Sequence, residues 1–231
     1  MYASTVVGLS TSTFASLSTA VGTLVLAVAT FSSVRSSQRS ARVAERSLLL
    51  GLRPILAPSH LSDPPEKVRF GDRKFVKVNG GMAAVEQENG NIYMVIPLRN
   101  LGAGMAVLHS WYLDAIPPWE DNQGRLGEFE HADTAGYRRL SRDLYVPAGD
   151  VGFWQGAIRD QQDVFRPAAE TAIAGADGFF IDLLYGDEEG GQRTISRFNV
   201  SPHAFTDDAD HTVWTVGVVR HWRLDGFNPR D

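Results

Sequence analysis

The sequence predicts a mainly β, antiparallel sandwich domain preceded by one N-terminal transmembrane α-helix and a juxtamembrane helix. Three observations carry this reading. Residues 1–34 contain no charged side chain, the next twelve bring in Arg35, Arg39, Arg42 and Arg46 against Glu45 alone, and after Pro54 the apolar period changes from that of a helix to that of strands. The expected organisation is a membrane segment over 1–32 with its span at 9–31, a basic juxtamembrane helix over 33–52, and an acidic β domain over 53–231.

A helix from Leu9 to Phe31, rising ~1.5 Å per residue, matches the ~30 Å hydrocarbon core of a bilayer. Its apolar peak is AVGTLVLAVATF, residues 20–31. The preceding TSTFASLST is tolerated in lipid because Ser and Thr hydroxyls bond back to carbonyls of the preceding turn. A soluble core helix of this length would carry charges on its outer face, and this stretch has none. Basic residues close to a span are retained on the cytoplasmic side, and here all of them follow it. The expected location is therefore the cell membrane, single-pass, with the N-terminus outside and the C-terminal domain cytoplasmic. A cleaved signal peptide is the competing reading, since Ala27-Val28-Ala29 has the small-x-small form of a cleavage site. Against it, no Lys or Arg precedes the apolar stretch. The absence of cysteine fits a reducing compartment.

From 33 to 50 the chain has no Pro or Gly, and its arginines at 35, 39, 42 and 46 are spaced i, i+4, i+7 and i+11, a basic stripe on one helical face. Arg35, Arg39, Arg42 and Arg46 are expected to contact anionic lipid headgroups, so the lipid bilayer is the first expected partner. Ala15, Thr19, Thr23 and Ala27 form a small-residue stripe that would let two spans approach as a homo-oligomer. Residues 1–53 hold five Arg and one Glu, a net of +4, so against −5 for the whole chain residues 54–231 carry −9. Lys and Arg are not clustered along that acidic stretch, so nucleic acid is not an expected partner.

Strand signals then follow in order. Phe75, Val76 and Val78 lead into Asn79-Gly80-Gly81, and a stretch from Met82 leads into Asn89-Gly90. Asn-Gly between apolar runs is a hairpin signal because both central residues need positive φ. Residues 92–98, IYMVIPL, are apolar on both faces and read as a central strand, with Pro97 marking a bulge or an end. Met105, Val107, His109, Trp111 and Leu113 alternate onto one expected face. Leu144 and Val146 precede a turn at 147–150, strands at 151–158, 179–185 and 194–200 follow, and the last strand places Trp214, Val216, Val218, Trp222 and Leu224 together. Residues 167–174 read as the one helix of the domain, with Pro in its first turn and Gly175 as its stop. Residues 58–72 and 116–137 read as irregular, the second as an acidic loop. Eight to ten short strands with one short helix indicate a sandwich, with an eight-stranded barrel as the alternative.

A single span, an Arg-bearing helix closing with LRPIL (52–56) and a strand ending in LRNLGAGMA (98–106) together resemble a group of uncharacterised bacterial membrane-anchored proteins, often actinobacterial. The resemblance implies an Ig-like β-sandwich, with the asparagine and spaced glycines between two of its strands. It implies no activity and no functional residues.

Candidate chemistry is sparse. Gly102-Ala103-Gly104 is a fragment of a dinucleotide fingerprint, but a strand follows where that motif needs a helix, so these read as turn glycines. Asp207, Asp208, Asp210 and His211 form the densest set of metal-type ligands, without the fixed glycine and distal Glu of a calcium loop. Asp187-Glu188-Glu189 reads as a hairpin tip. His109 beside Trp111, and His221 beside Trp222, are candidates to line a pocket. No G-x-S-x-G elbow is present and no cysteine nucleophile exists, so no catalytic residue, metal or cofactor is expected. The function expected is a cytoplasm-facing protein-interaction or accessory module with a protein partner. The alternative is an extracytoplasmic domain that binds a small molecule or carbohydrate, or acts as a weak hydrolase.

Overall fold

The computed structural model describes residues 11–115, 131–175, 178–203 and 212–225. It forms two compact units, 1–50 and 51–231. The first contains α1, a single helix over Thr11–Gly51, so the expected span and juxtamembrane helix are one continuous element. Within Ser16–Glu45 its most apolar 18-residue window has a mean hydropathy of 1.8 and none of that window is buried, which makes the helix long and apolar enough to cross a membrane. Thr23 Oγ1 donates to the Thr19 carbonyl and Thr30 Oγ1 to the Leu26 carbonyl, each at 2.8 Å, the back-bonding that the Ser/Thr content anticipates.

The second unit is mainly β. In chain order it comprises β1 (Leu56–Pro58), β2 (Glu66–Arg69), β3 (Phe75–Val78), β4 (Met82–Glu88), β5 (Asn91–Asn100), β6 (Ala106–Ala115), β7 (Arg138–Val146), β8 (Val151–Ile158), α2 (Arg166–Gly175), β9 (Phe179–Gly186), β10 (Thr194–His203) and β11 (Val213–Arg223). One antiparallel sheet runs β1-β5-β4-β11-β10-β9-β6-β7, with β8 on the other edge of β5, and β2-β3 form a separate pair. The main sheet curls into a half-barrel instead of dividing into two stacked layers, so the Ig-like sandwich is not confirmed. Its two ends, β7 and β8, approach one another without forming a ladder.

β5 is the organising strand, as its sequence anticipates. Ile92, Met94, Ile96 and Leu98 enter the main core beside Trp154, Phe179, Tyr185 and Phe198. Tyr93 and Val95 face the other way, onto Val68, Phe70, Val76 and Val78 of the β2–β3 pair and its turn. Pro97 pairs across from Phe153 without ending the strand. On its other edge β5 pairs with β4 up to Val95 and with β1 from Leu98, and Pro97, which has no N–H to give, occupies the gap between those partners. The Asn89-Gly90 turn has φ of 50° and 76° and joins β4 to β5, the positive-φ pair that a tight hairpin demands. Asn79-Gly80-Gly81 makes no hairpin: β3 pairs with β2 and β4 joins the main sheet, so this turn is a corner between sheets.

Two bulges break the expected alternation. A register shift at His109 puts Ala106 and Leu108 in the core before it and Trp111 and Leu113 after it, so Met105 and Val107 do not share the face of Trp111. A second shift leaves Val219 unpaired, so Trp222 lies opposite Ile195 and faces away from Trp214 and Val216. The stretch 58–72, expected to be irregular, contains the end of β1 and all of β2. Of 116–137, residues 116–130 lie outside the described residues, and Thr134–Gly136 forms one 3-10 turn.

The LRPIL and LRNLGAGMA segments pack on each other. Asn100 is fully buried; its Oδ1 accepts from Ile55 N at 3.2 Å and Gly102 N at 3.0 Å, while its Nδ2 donates to the Gly104 carbonyl at 2.7 Å and the Val146 carbonyl at 2.9 Å. A Cβ at Gly102 would stand 2.1 Å from the Arg53 carbonyl oxygen, and one at Gly104 would stand 1.8 Å from that of Leu52. The spaced glycines are therefore places where two backbones touch.

Candidate functional site

The open side of the half-barrel forms a broad concavity. β7 and β8 each pair with a strand on one side only, and β2 lies beside them, so three strand edges that pair with no further strand border one cleft of about 1120 Å³. A cleft of this volume admits a small-molecule ligand. Trp111, Leu140, Leu144, Phe153, Phe70 and Val68 supply its apolar lining.

Its charged lining is mostly cationic. Lys67 and Arg69 come from β2, Arg138, Arg139 and Arg142 from β7, and Arg159 from the turn after β8, while Asp72 is the sole carboxylate among the described lining residues. Residues 54–231 hold seventeen Lys and Arg against twenty-six Asp and Glu, so gathering six cations with one acid runs against the composition of the whole domain. The expectation that this acidic domain lacks clustered basic residues is thus corrected by the fold. The signal was hidden because the cations come from three separate segments.

Two of the six are committed. Arg138 pairs with Asp163 at 2.6 Å and its guanidinium lies 5.0 Å from the Trp111 ring and 4.8 Å from that of Phe165. Arg159 pairs with Asp72 at 2.9 Å, and Tyr93 Oη donates to the same carboxylate at 2.8 Å. Arg159, with Tyr93 adding to it, lowers the Asp72 pKa to about 2. Among the described residues no carboxylate pairs with Lys67, Arg69, Arg139 or Arg142. The Gln155 amide, oriented to satisfy both neighbours, donates to the Arg69 carbonyl at 3.1 Å and accepts from Arg142 Nη2 at 2.7 Å, linking β8 to β2 and β7.

On the opposite face of the sheet lies a closed charged cluster. Arg197, 2% exposed, meets Asp182, 1% exposed, through Nε–Oδ1 at 2.7 Å and Nη2–Oδ2 at 2.8 Å. Phe180 and Trp222 flank the guanidinium at 5.1 and 5.3 Å, and Tyr137 Oη donates to Asp182 at 3.2 Å. Burial and the neighbouring Asp182 charge push the Tyr137 pKa up. Burial by itself would lower the Arg197 pKa, but its bonds to Asp182 raise it. Every charge here has a partner, so the cluster is a clasp between strands.

Ser196 Oγ lies 2.6 Å from His221 Nδ1 and 2.8 Å from Tyr185 Oη, which accepts from Leu56 N at 3.1 Å. Burial lowers the His221 pKa and favours the neutral ring. Ser196 is fully buried, and no described carboxylate orients the imidazole, so the chain of bonds ties β1 to β10 and β11 and does not expose a nucleophile.

Trp111 is 2% exposed and reaches the cleft from the core, whereas His109 sits in its bulge against Gly186, away from the cleft lining, so the two do not form one pocket. His131 packs edge-on against Trp222. Arg35, Arg39 and Arg42 are exposed on α1; Arg46 is on the same helix, and its side chain lies outside the described residues. Asp207, Asp208, Asp210 and His211 also lie outside them, and among the described residues no group of three or more His, Asp or Glu is arranged to hold a metal. At the β9–β10 tip, Asp187 Oδ1 accepts from Glu189 N at 3.1 Å and Gly191 N at 2.7 Å. No protein-family model matches the sequence, and no curated protein matches it either.

Proposed function

We propose that the chain is a membrane-tethered binding module: α1 is a single-pass anchor with its N-terminus outside, and the β domain is held at the cytoplasmic face as an interaction or accessory unit for a protein partner. The observation that carries this reading is the apolar 18-residue window within Ser16–Glu45, nowhere buried, followed by a separately folded domain with its own core. An exposed apolar helix of that length is stable only against lipid or another apolar surface, since its leucines and valines would otherwise stand in water. Arg35, Arg39 and Arg42 at its C-terminal half favour retention of that end in the cytoplasm and contact with anionic headgroups. The resemblance to bacterial membrane-anchored proteins agrees with this layout. Tethering raises the local concentration of the domain toward partners at the same surface.

Reporters fused after Asp231 test the orientation. A fluorescent protein that matures only in the cytoplasm is expected to be active there, and a phosphatase that folds only outside is expected to be inactive. The opposite pair of results would overturn this reading and favour an extracytoplasmic ligand-binding domain, a second reading to which the cleft also gives support.

A further inference from the structure

We infer that the cleft between β2, β7 and β8 is a binding site for a compact, multiply charged phosphate-bearing anion. The inference goes beyond the tether, because it assigns a ligand class to the domain itself. Four cations that have no carboxylate partner among the described residues, Lys67, Arg69, Arg139 and Arg142, converge on one concavity from two strands. Like charges gathered at one place repel, and among the described residues no carboxylate pairs with these four although the domain has an excess of acids. A bound anion removes that repulsion.

The chemistry of the lining narrows the ligand further. Arginine forks match the geometry of phosphate and carboxylate oxygens, and the β7 and β8 edges that pair with no further strand offer backbone donors without charge. Phosphate groups carry more charge in a given volume than carboxylates, so a compact species with several of them neutralises four cations within a cleft of about 1120 Å³. The apolar lining from Phe153, Leu140 and Leu144 accommodates a less polar portion of the same molecule. Such a ligand arises from two sources, a soluble phosphate ester or the headgroup of an anionic lipid.

The experiment uses the full-length chain in lipid nanodiscs and follows amide hydrogen exchange of residues 139–144 and 153–157. Inorganic tripolyphosphate added to discs of phosphatidylcholine probes the soluble source, and discs containing phosphatidylglycerol probe the headgroup source. Saturable protection in either arm, weakened at least tenfold in apparent affinity by R139Q/R142Q and changed less than twofold by Arg223→Gln, supports the site and identifies the source. The soluble arm does not depend on the orientation of the tether, so its outcome is separable from that of the reporter fusions. No protection in either arm, an equal loss in the Arg223→Gln control, or tighter binding of citrate than of tripolyphosphate would overturn it. Arg139 and Arg142 are exposed, and unchanged exchange in β5 and β9 shows that R139Q/R142Q remains folded.

Discussion

Replacing Asn100 tests the structural account at its most constrained point. In Asn100→Ala, two backbone N–H donors, of Ile55 and Gly102, and two carbonyls, of Gly104 and Val146, lose their partner inside a fully buried site. A buried polar group left unpaired costs about 1–3 kcal/mol, and a water admitted by the small cavity holds each toward the low end, which gives about 4 kcal/mol in total. For a domain of this size that corresponds to a fall of roughly 8–16 °C in Tm. Asn100→Asp is sharper. Its carboxylate still accepts from Ile55 and Gly102, but its second oxygen then faces two carbonyl oxygens where a donor stood, so at neutral pH it is expected to be less stable than Asn100→Ala. The same contacts raise the folded pKa of the new carboxyl above its unfolded value of ~3.9. The penalty is therefore full above that raised pKa and fades as pH falls through it toward ~3.9, where protonation restores one donor. Guanidinium titrations followed by the fluorescence of the core residues Trp111, Trp154 and Trp214 measure both effects. A loss under about 1 kcal/mol for Asn100→Ala, or an Asn100→Asp penalty that does not shrink on acidification, would refute the reasoning.

Two other perturbations follow from the charged pairs. Arg197→Met leaves Asp182 buried with Tyr137 alone and is expected to cost about 3–5 kcal/mol, whereas R197M/D182L is expected to recover most of that loss; chemical denaturation of both variants decides, and a double variant no better than the single one would contradict the clasp. The Asp72 pKa of about 2 is depressed, so its contribution is present above ~3.9 and is lost as pH falls toward 2; with the side chain 32% exposed, solvent screening limits this to roughly 1 kcal/mol. Asp72→Asn is expected to flatten the acid limb of the stability profile between those values, and an unchanged slope would show that the pair with Arg159 contributes nothing.

What could be read from the residues follows from where apolar side chains record the fold. β5 announced itself because both of its faces are buried, the Asn89-Gly90 turn because its backbone requires positive φ, and α2 because a proline starts it and a glycine stops it. The candidate site was illegible for the opposite reason. β2 has one buried residue, Val68, and β7 opens with Arg138, Arg139, Ser141 and Arg142, whose exposed or half-exposed positions leave no alternation to detect. The bulges at His109 and Val219 each reverse a strand face by one unpaired residue, which periodicity alone does not reveal. The curl of the sheet then brings together cations separated by up to ninety-two positions, from Lys67 to Arg159, a juxtaposition that spacing along the chain does not display.

The chain contains no cysteine, so single cysteines report cleanly on where each part resides. Labelling with a membrane-impermeant maleimide, in intact cells and after lysis without detergent, is the most direct measurement of the tether. Leu24→Cys, in the middle of the apolar stretch, is expected to stay unlabelled in both conditions, and Ser141→Cys, exposed on β7, to label only after lysis. Rapid labelling at position 24 in water, from protein that remains in the supernatant after high-speed centrifugation, would contradict the account.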